Sequence, residues 1–175
     1  LVFDTLFAVN DRWEPTPQMV ERWERSPDGA TWTFTLRDGL AFHDGSPVTA
    51  EDCVASLRRW GARDTLGSLM IAATESLEPV DAKTFRLKLA RPFGLVLQAL
   101  SKPGAMVPMI MPKRLAETPP NQPITTPIGS GPYRFVAAEY RAGDRIVLAR
   151  NEAYRPRTEA PVWASGAKAP RMERV

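Results

Sequence analysis

Residues 36–53 read Leu-Arg-Asp-Gly-Leu-Ala-Phe-His-Asp-Gly-Ser-Pro-Val-Thr-Ala-Glu-Asp-Cys, and this stretch decides the local fold. Thr49 and Asp52 stand at the spacing of a capping box. In that arrangement the hydroxyl of Thr49 accepts an amide proton of the first helical turn, and the carboxylate of Asp52 accepts the amide proton of Thr49. The stretch therefore predicts a helix that begins at Ala50.

Two Asp-Gly pairs precede this helix and predict turns. Asp38-Gly39 and Asp44-Gly45 each combine an Asp, which bonds its own backbone, with a Gly, which adopts positive φ without steric cost. The residues between the two pairs, Leu40 to His43, can form only a short extended piece. A strand end, two turns and a capped helix are thus expected in direct succession.

Three β-hairpins are predicted on either side of this stretch. In the first, Trp32, Phe34 and Leu36 alternate with threonines, a period of two that buries one face of a strand. The predicted hairpins pair residues 20–25 with 31–37, 75–80 with 84–89, and 133–140 with 145–149.

A helix is predicted at 93–100 from apolar spacing, another at 112–117 because Pro suits the first helical position, and a short one after Gly67. Residues 118–127 contain four prolines, which cannot donate backbone hydrogen bonds, so this segment is expected to be a connector without helix or strand.

Composition and charge narrow the class of protein. The chain has 175 residues, 43% of them apolar and 25% charged, which is ordinary globular composition. Its net charge of +3 comes from residues 150–175, which hold six basic and three acidic side chains, so the rest of the chain is neutral. No basic face is therefore expected, and nucleic-acid binding is disfavoured. The single cysteine excludes an intrachain disulfide, and no apolar run reaches the roughly 20 residues of a membrane span.

The residues that could carry catalysis are few. His43 is the only histidine and stands next to Asp44, yet neighbouring residues of an extended segment point to opposite sides, so the pair is poorly placed for acid–base work. Cys53 lies among apolar helix positions, which indicates a small core residue. No His, Cys or carboxylate spacing suggests a metal site. A small hydrolase using His43 with Asp44, or Cys53, stays open as an alternative, as does a purely structural or interaction module.

Several motifs together indicate a family. Residues 36–53, with the segments 2–7, 19–36, 128–135 and 143–151, resemble the family 5 extracellular solute-binding proteins, the peptide, dipeptide and nickel receptors of ABC importers. The resemblance implies an α/β fold with a mixed sheet, antiparallel hairpins and flanking helices, as in the first lobe of a type II periplasmic-binding-protein-like fold. It also implies a truncated chain that lacks lobe II, with residues 1–15 plus 127–175 in the core subdomain of lobe I and residues 16–126 as an inserted hairpin and helix subdomain.

The same resemblance implies a function. It suggests a receptor, not an enzyme, that binds peptides or similar small polar solutes without a cofactor and delivers them to the membrane permease of an ABC importer. The expected state is a monomer, and the expected location is periplasmic or extracytoplasmic, with or without a lipid anchor.

The resemblance also implies a ligand site. In peptide receptors of this family, the stretch matching Asp4, Thr5 and Leu6 runs along the cleft and pairs with an extended ligand. The region matching Leu69 and Met70 approaches the ligand as well. Phe3 and Leu6 could instead belong to the buried side of the strand.

Overall fold

The computed structural model describes residues 1–175. It contains ten short strands, four α-helices and one 3-10 helix at Ala137–Glu139. In chain order the strands and α-helices are β1 (Asp4–Thr5), β2 (Phe7–Val9), β3 (Pro15–Pro17), β4 (Val20–Arg25), β5 (Thr31–Leu36), α1 (Ala50–Gly61), α2 (Thr65–Ala72), β6 (Thr74–Pro79), β7 (Thr84–Leu89), α3 (Val96–Leu100), β8 (Met109–Ile110), α4 (Lys113–Ala116), β9 (Tyr133–Phe135) and β10 (Leu148–Arg150).

A four-stranded antiparallel sheet in the order β4-β5-β7-β6 forms the centre of the chain. Burial alternates along β5 and β7, so that Trp32, Phe34 and Leu36 face the core as the period-two pattern predicts. Phe34 is paired with Phe85 on β7, and their rings stack with centroids 5.1 Å apart. Both predicted hairpins of this region are confirmed, and the pairing of β5 with β7 joins them into one sheet.

Helix α1 begins at Ala50, as the capping box predicts. Thr49 Oγ1 accepts from the backbone N–H of Asp52 at 3.4 Å, and Asp52 Oδ2 accepts from the backbone N–H of Thr49 at 2.8 Å. Asp52 Oδ1 also accepts from the backbone N–H of Lys113 at 2.7 Å, which attaches α4 to the start of α1. Cys53 and Leu57 pack into the core cluster beneath the sheet, so the prediction that Cys53 is a core residue is confirmed.

The remaining strands form three small antiparallel pairs, β1 with β8, β2 with β3 and β9 with β10. Every strand pair in the chain is antiparallel, so the parallel pairing that a mixed sheet implies does not occur. The opening segment bends at Leu6 into two strands with different partners. The carbonyl of Leu6 accepts from the backbone N–H of Gln18 at 2.9 Å, which turns the chain from one partner strand to the next.

Three element boundaries differ from the sequence prediction. Helix α2 begins at Thr65, before Gly67, because the Asp64 side chain caps it by accepting from the backbone N–H of Gly67 at 2.9 Å. Helix α3 begins only at Val96, after Gly94. The third hairpin exists, but its first strand ends at Phe135 and is followed by the 3-10 helix. Residues 118–127 form neither helix nor strand, as their prolines predict, and none of the helices combines the length and the apolarity needed to cross a bilayer.

Candidate functional site

The segment around Gly129 and Gly131 is pressed against the first residues of the chain. The backbone N–H of Gly131 donates to the carbonyl of Val2 at 2.9 Å, and the N–H of Tyr133 donates to the carbonyl of Leu1 at 3.2 Å. A Cβ atom on Gly129 would lie 2.0 Å from the carbonyl oxygen of Val2, and one on Gly131 would lie 2.2 Å from that of Leu1. Only glycine fits at these two positions, so the motif serves close backbone packing.

His43 makes three hydrogen-bonding contacts with this glycine segment. Its backbone N–H donates to the carbonyl of Gly129 at 2.9 Å, and its Nδ1 accepts from the N–H of Gly129 at 3.3 Å. Its Nε2 lies 3.0 Å from the carbonyl oxygen of Gly131. The neutral ring with the proton on Nε2 satisfies both contacts, and burial lowers the pKa of His43 below its usual value. His43 therefore bonds backbone groups of a segment that is distant in the sequence.

The side chains of the residues considered for catalysis are either occupied by hydrogen bonds and ion pairs or buried. Both ring nitrogens of His43 are occupied by backbone groups. Asp44 instead accepts hydrogen bonds from Ser46 and pairs with Arg114, and the Ser46 bonds are the main cause that lowers its pKa to about 2. Cys53 is fully buried, and burial raises the pKa of its thiol. No three His, Cys, Asp or Glu side chains converge in a way that could hold a metal ion.

A buried polar cluster joins the opening strand to the C-terminal region. Asp4 is only 1% exposed, and its carboxylate accepts from Lys168 Nζ at 2.7 Å, from Tyr154 Oη at 3.0 Å and from the backbone N–H of Thr5 at 3.0 Å. Burial and the neighbouring Asp4 charge raise the pKa of Tyr154, so its hydroxyl stays protonated and donates. The cluster fixes the side chain of Lys168 beside β1.

The largest cavity, of about 830 Å³, opens beside this cluster. Its walls come from the opening strands, from residues 101–107 and from residues 161–172. Trp163 lies on its wall and is 61% exposed. The ring of Trp163 lies against that of Trp13, with centroids 5.2 Å apart, and both residues have positive φ. The cavity is therefore an open, largely apolar hollow with an aromatic edge.

The predicted ligand contacts fall in different surroundings. Thr5 lines the cavity. Its two neighbours in the sequence, Asp4 and Leu6, are buried and do not line the cavity. Leu69 is 53% exposed on α2, and Met70 is buried in the core; neither lines this cavity. Ligand contact by these five residues stays a prediction.

Other residues at this site were not anticipated from the sequence: Trp13, Tyr154, Trp163 and Lys168. The only sequence signal was large side chains standing in otherwise small-residue or polar segments.

Residues 14–175 match the family model described as bacterial extracellular solute-binding proteins, family 5 Middle. The chain belongs to this family. The resemblance read from the motifs is thereby confirmed, as is the α/β class. Family 5 proteins are binding proteins for transport, not enzymes.

Relatives in the family include a protein of Sinorhizobium fredii named as a probable peptide ABC transporter periplasmic-binding protein, which is 40% identical over 174 residues, or 99% of this chain and 32% of that protein. The chain thus spans about a third of the length of the curated relatives it matches.

Two solved structures share the fold of this chain. The solute-binding protein MoaA of A. tumefaciens R10, in complex with mannopinic acid, is 30% identical with a TM-score of 0.72, over 87% of this chain and 31% of that one. NikZ of Campylobacter jejuni, in complex with Ni(L-His), is 26% identical with a TM-score of 0.72, over 88% of this chain and 31% of that one. The bound molecules differ in kind, so membership in family 5 does not by itself select a solute.

Proposed function

We propose that this chain is part of a solute receptor that delivers peptides or similar small polar solutes to an ABC importer. The observation that carries the proposal is the open cavity beside β1 in a chain that belongs to family 5. A cavity of this size falls within the roughly 300–1,000 Å³ typical of small-molecule sites. The membrane permease is the proposed partner, and the proposed state is a monomer outside the cytoplasm.

The proposed mechanism is binding by domain closure, without any covalent step. A ligand that contacts both sides of a cleft favours the closed form by its differential affinity for the two conformations. On this side of the cleft, Thr5 is the proposed contact of the opening strand, with Asp4 and Leu6 holding the strand in place. Leu69 on α2 offers an exposed apolar side chain at a second position, anchored by the buried Met70.

The proposed division of the chain places residues 1–15 plus 127–175 in one subdomain and residues 16–126 in an inserted subdomain. Two sets of contacts between these subdomains support a rigid interface: the hydrogen bonds of His43 to Gly129 and Gly131, and the pairing of β1 with β8. We expect these two subdomains to move as one body when a ligand binds.

Titration calorimetry tests the receptor proposal. The full-length protein is titrated with peptide mixtures and compared with the 175-residue chain. We expect the full-length protein to bind and the 175-residue chain to bind weakly or not at all, since grip from the opposite side of the cleft is required. Tight micromolar binding by the 175-residue chain would overturn the closure mechanism, and a full-length protein without affinity for any solute would overturn the receptor function.

A further inference from the structure

We propose that the 830 Å³ cavity selects solutes that carry a carboxylate or a similar organic anion next to an apolar body, with Arg171 as the residue that recognises the anion. This inference rests on the proposed receptor function and adds the charge class of the solute.

The charges around this cavity are of one sign. Lys102, Lys168 and Arg171 line it, and no Asp or Glu side chain does, although the chain as a whole contains 20 acidic residues against 23 basic ones. The groove along α1 differs, because its basic residues share the lining with Glu51 and Glu117. The smaller hollow beside Trp60 is likewise lined by basic residues without Asp or Glu, namely Arg59 and Arg63, so the inference depends on how the charges of the largest cavity are arranged.

The two lysines are held in place by carboxylates that lie behind the cavity wall. Asp4 pairs with Lys168 at 2.7 Å and is 1% exposed, and Asp64 pairs with Lys102 and is 5% exposed. An ammonium group has three donors, and each of these lysines uses one on its carboxylate. The remaining donors are free for a ligand, while the ion pairs keep the two side chains ordered.

Arg171 supplies the net charge. It is exposed, lines the cavity and lies within ion-pair distance of no carboxylate in the chain. The two lysines are neutralised by their partners, so attraction over distance comes from Arg171. A guanidinium also matches a carboxylate with two parallel hydrogen bonds, which an ammonium does not.

The rest of the lining selects for the remainder of the solute. Trp163 and Met172, which are 61% and 58% exposed, contribute apolar surface to the same cavity. A solute with only an acidic group would leave this surface in contact with water, whereas one with an apolar body buries it. An acidic peptide with small or apolar neighbours satisfies both requirements.

Three tripeptides with amidated C-termini, Ala-Glu-Ala, Ala-Gln-Ala and Ala-Lys-Ala, test the charge class on the full-length protein. Amidation leaves the Glu side chain as the only carboxylate in the series. We expect calorimetry to give about tenfold tighter binding of the Glu peptide than of the Gln peptide, as for one charge-assisted hydrogen-bond pair. The variant Arg171→Gln should bring this ratio close to one while affinity for the Gln peptide is kept. Arg91→Gln, an exposed arginine that lies outside the cavity, is the matched control and should leave the ratio unchanged.

The outcomes separate the two proposals. Equal binding of the three peptides, or a preference for the Lys peptide, overturns the anion selectivity while the receptor function stands. A ratio that Arg171→Gln does not change overturns the role of Arg171. Absence of binding by all three peptides overturns the anion inference, whereas the receptor function falls only if the titration with peptide mixtures and other small polar solutes also shows no binding. Thermal unfolding midpoints equal to wild type verify that each variant is folded.

Discussion

Replacing His43 tests whether this residue holds the glycine segment against the inserted part of the chain. In His43→Ala, two side-chain hydrogen bonds disappear, the one from Nε2 to Gly131 at 3.0 Å and the one from Gly129 to Nδ1 at 3.3 Å. At about 1 kcal/mol each, their loss should lower the free energy of unfolding by about 2 kcal/mol. A His43→Gln side chain can still donate one such bond, so about half of the loss should be recovered.

The same contact should depend on pH. A second proton on the ring would sit on Nδ1, where it faces the N–H of Gly129, so the acceptor would be lost. Burial is the main cause that lowers the folded-state pKa of His43 below its unfolded value of 6.5; Arg134 and the Leu1 ammonium lower it further, and Asp44 and the Gly131 bond oppose them. The stabilisation is therefore fully present above pH 6.5 and is lost as the pH falls below that value toward the folded-state pKa.

Urea unfolding of the 175-residue chain and of both variants, followed by tryptophan fluorescence between about pH 5.5 and pH 8, measures this dependence. The stability difference between wild type and His43→Ala isolates the histidine, because it is the only one in the chain. We expect the difference to be largest near pH 8 and to shrink toward pH 5.5. A difference below about 0.5 kcal/mol at pH 8, or one that grows on acidification, would refute the claim that the neutral ring stabilises the chain through its hydrogen bonds to Gly129 and Gly131.

Three further predictions concern the local structure. Gly129→Ala should destabilise the chain by about 3 kcal/mol or more, because its Cβ would lie 2.0 Å from the Val2 carbonyl oxygen. The control Gly104→Ala has open space around it and should change stability by less than about 1 kcal/mol. Similar values for the two variants in urea unfolding would contradict the packing argument. Thr49→Ala should lower the free energy of unfolding by about 1 kcal/mol through loss of the helix cap. Asp52→Ala should lower it by about 2–3 kcal/mol, since Asp52 also accepts from the backbone N–H of Lys113. The reverse order would show that the hydrogen bond from Asp52 to α4 contributes little. Cys53 should react with a thiol reagent such as Ellman's reagent only when urea unfolds the chain, because its thiol is buried and its pKa is raised; rapid reaction in buffer would show that α1 opens readily.

Local patterns made much of the fold predictable. Three local features decided much of it: the alternation in β5, the turn residues and the Thr49–Asp52 capping box. Each depends on residues that are close together in the sequence, so the sequence alone indicates the structure. The start of α2 was readable in principle from Asp64, which stands three residues before Gly67 and caps the helix. The low helix propensity of Gly67 favours a helix boundary there, and the Asp64 cap overrides it.

Long-range partners were not predictable in this way. The pairing of β1 with β8 joins Asp4 to Ile110, and the Asp4–Lys168 ion pair joins positions 164 residues apart. Nothing near His43 in the sequence indicates that its ring bonds the backbone of Gly129 and Gly131. The cavity is built from such contacts, so its lining could be anticipated only through Thr5 and the family resemblance.

Hydrogen–deuterium exchange on the full-length protein, with and without a solute found by calorimetry, tests most directly whether the cavity beside β1 is where the receptor takes its solute. Binding should slow amide exchange in residues 5–9, 101–107 and 161–172, which form the cavity walls, and leave the outer strand β6 unchanged. Unchanged exchange in all three wall segments, with protection confined to the groove along α1, would contradict the assignment of this cavity as the solute site.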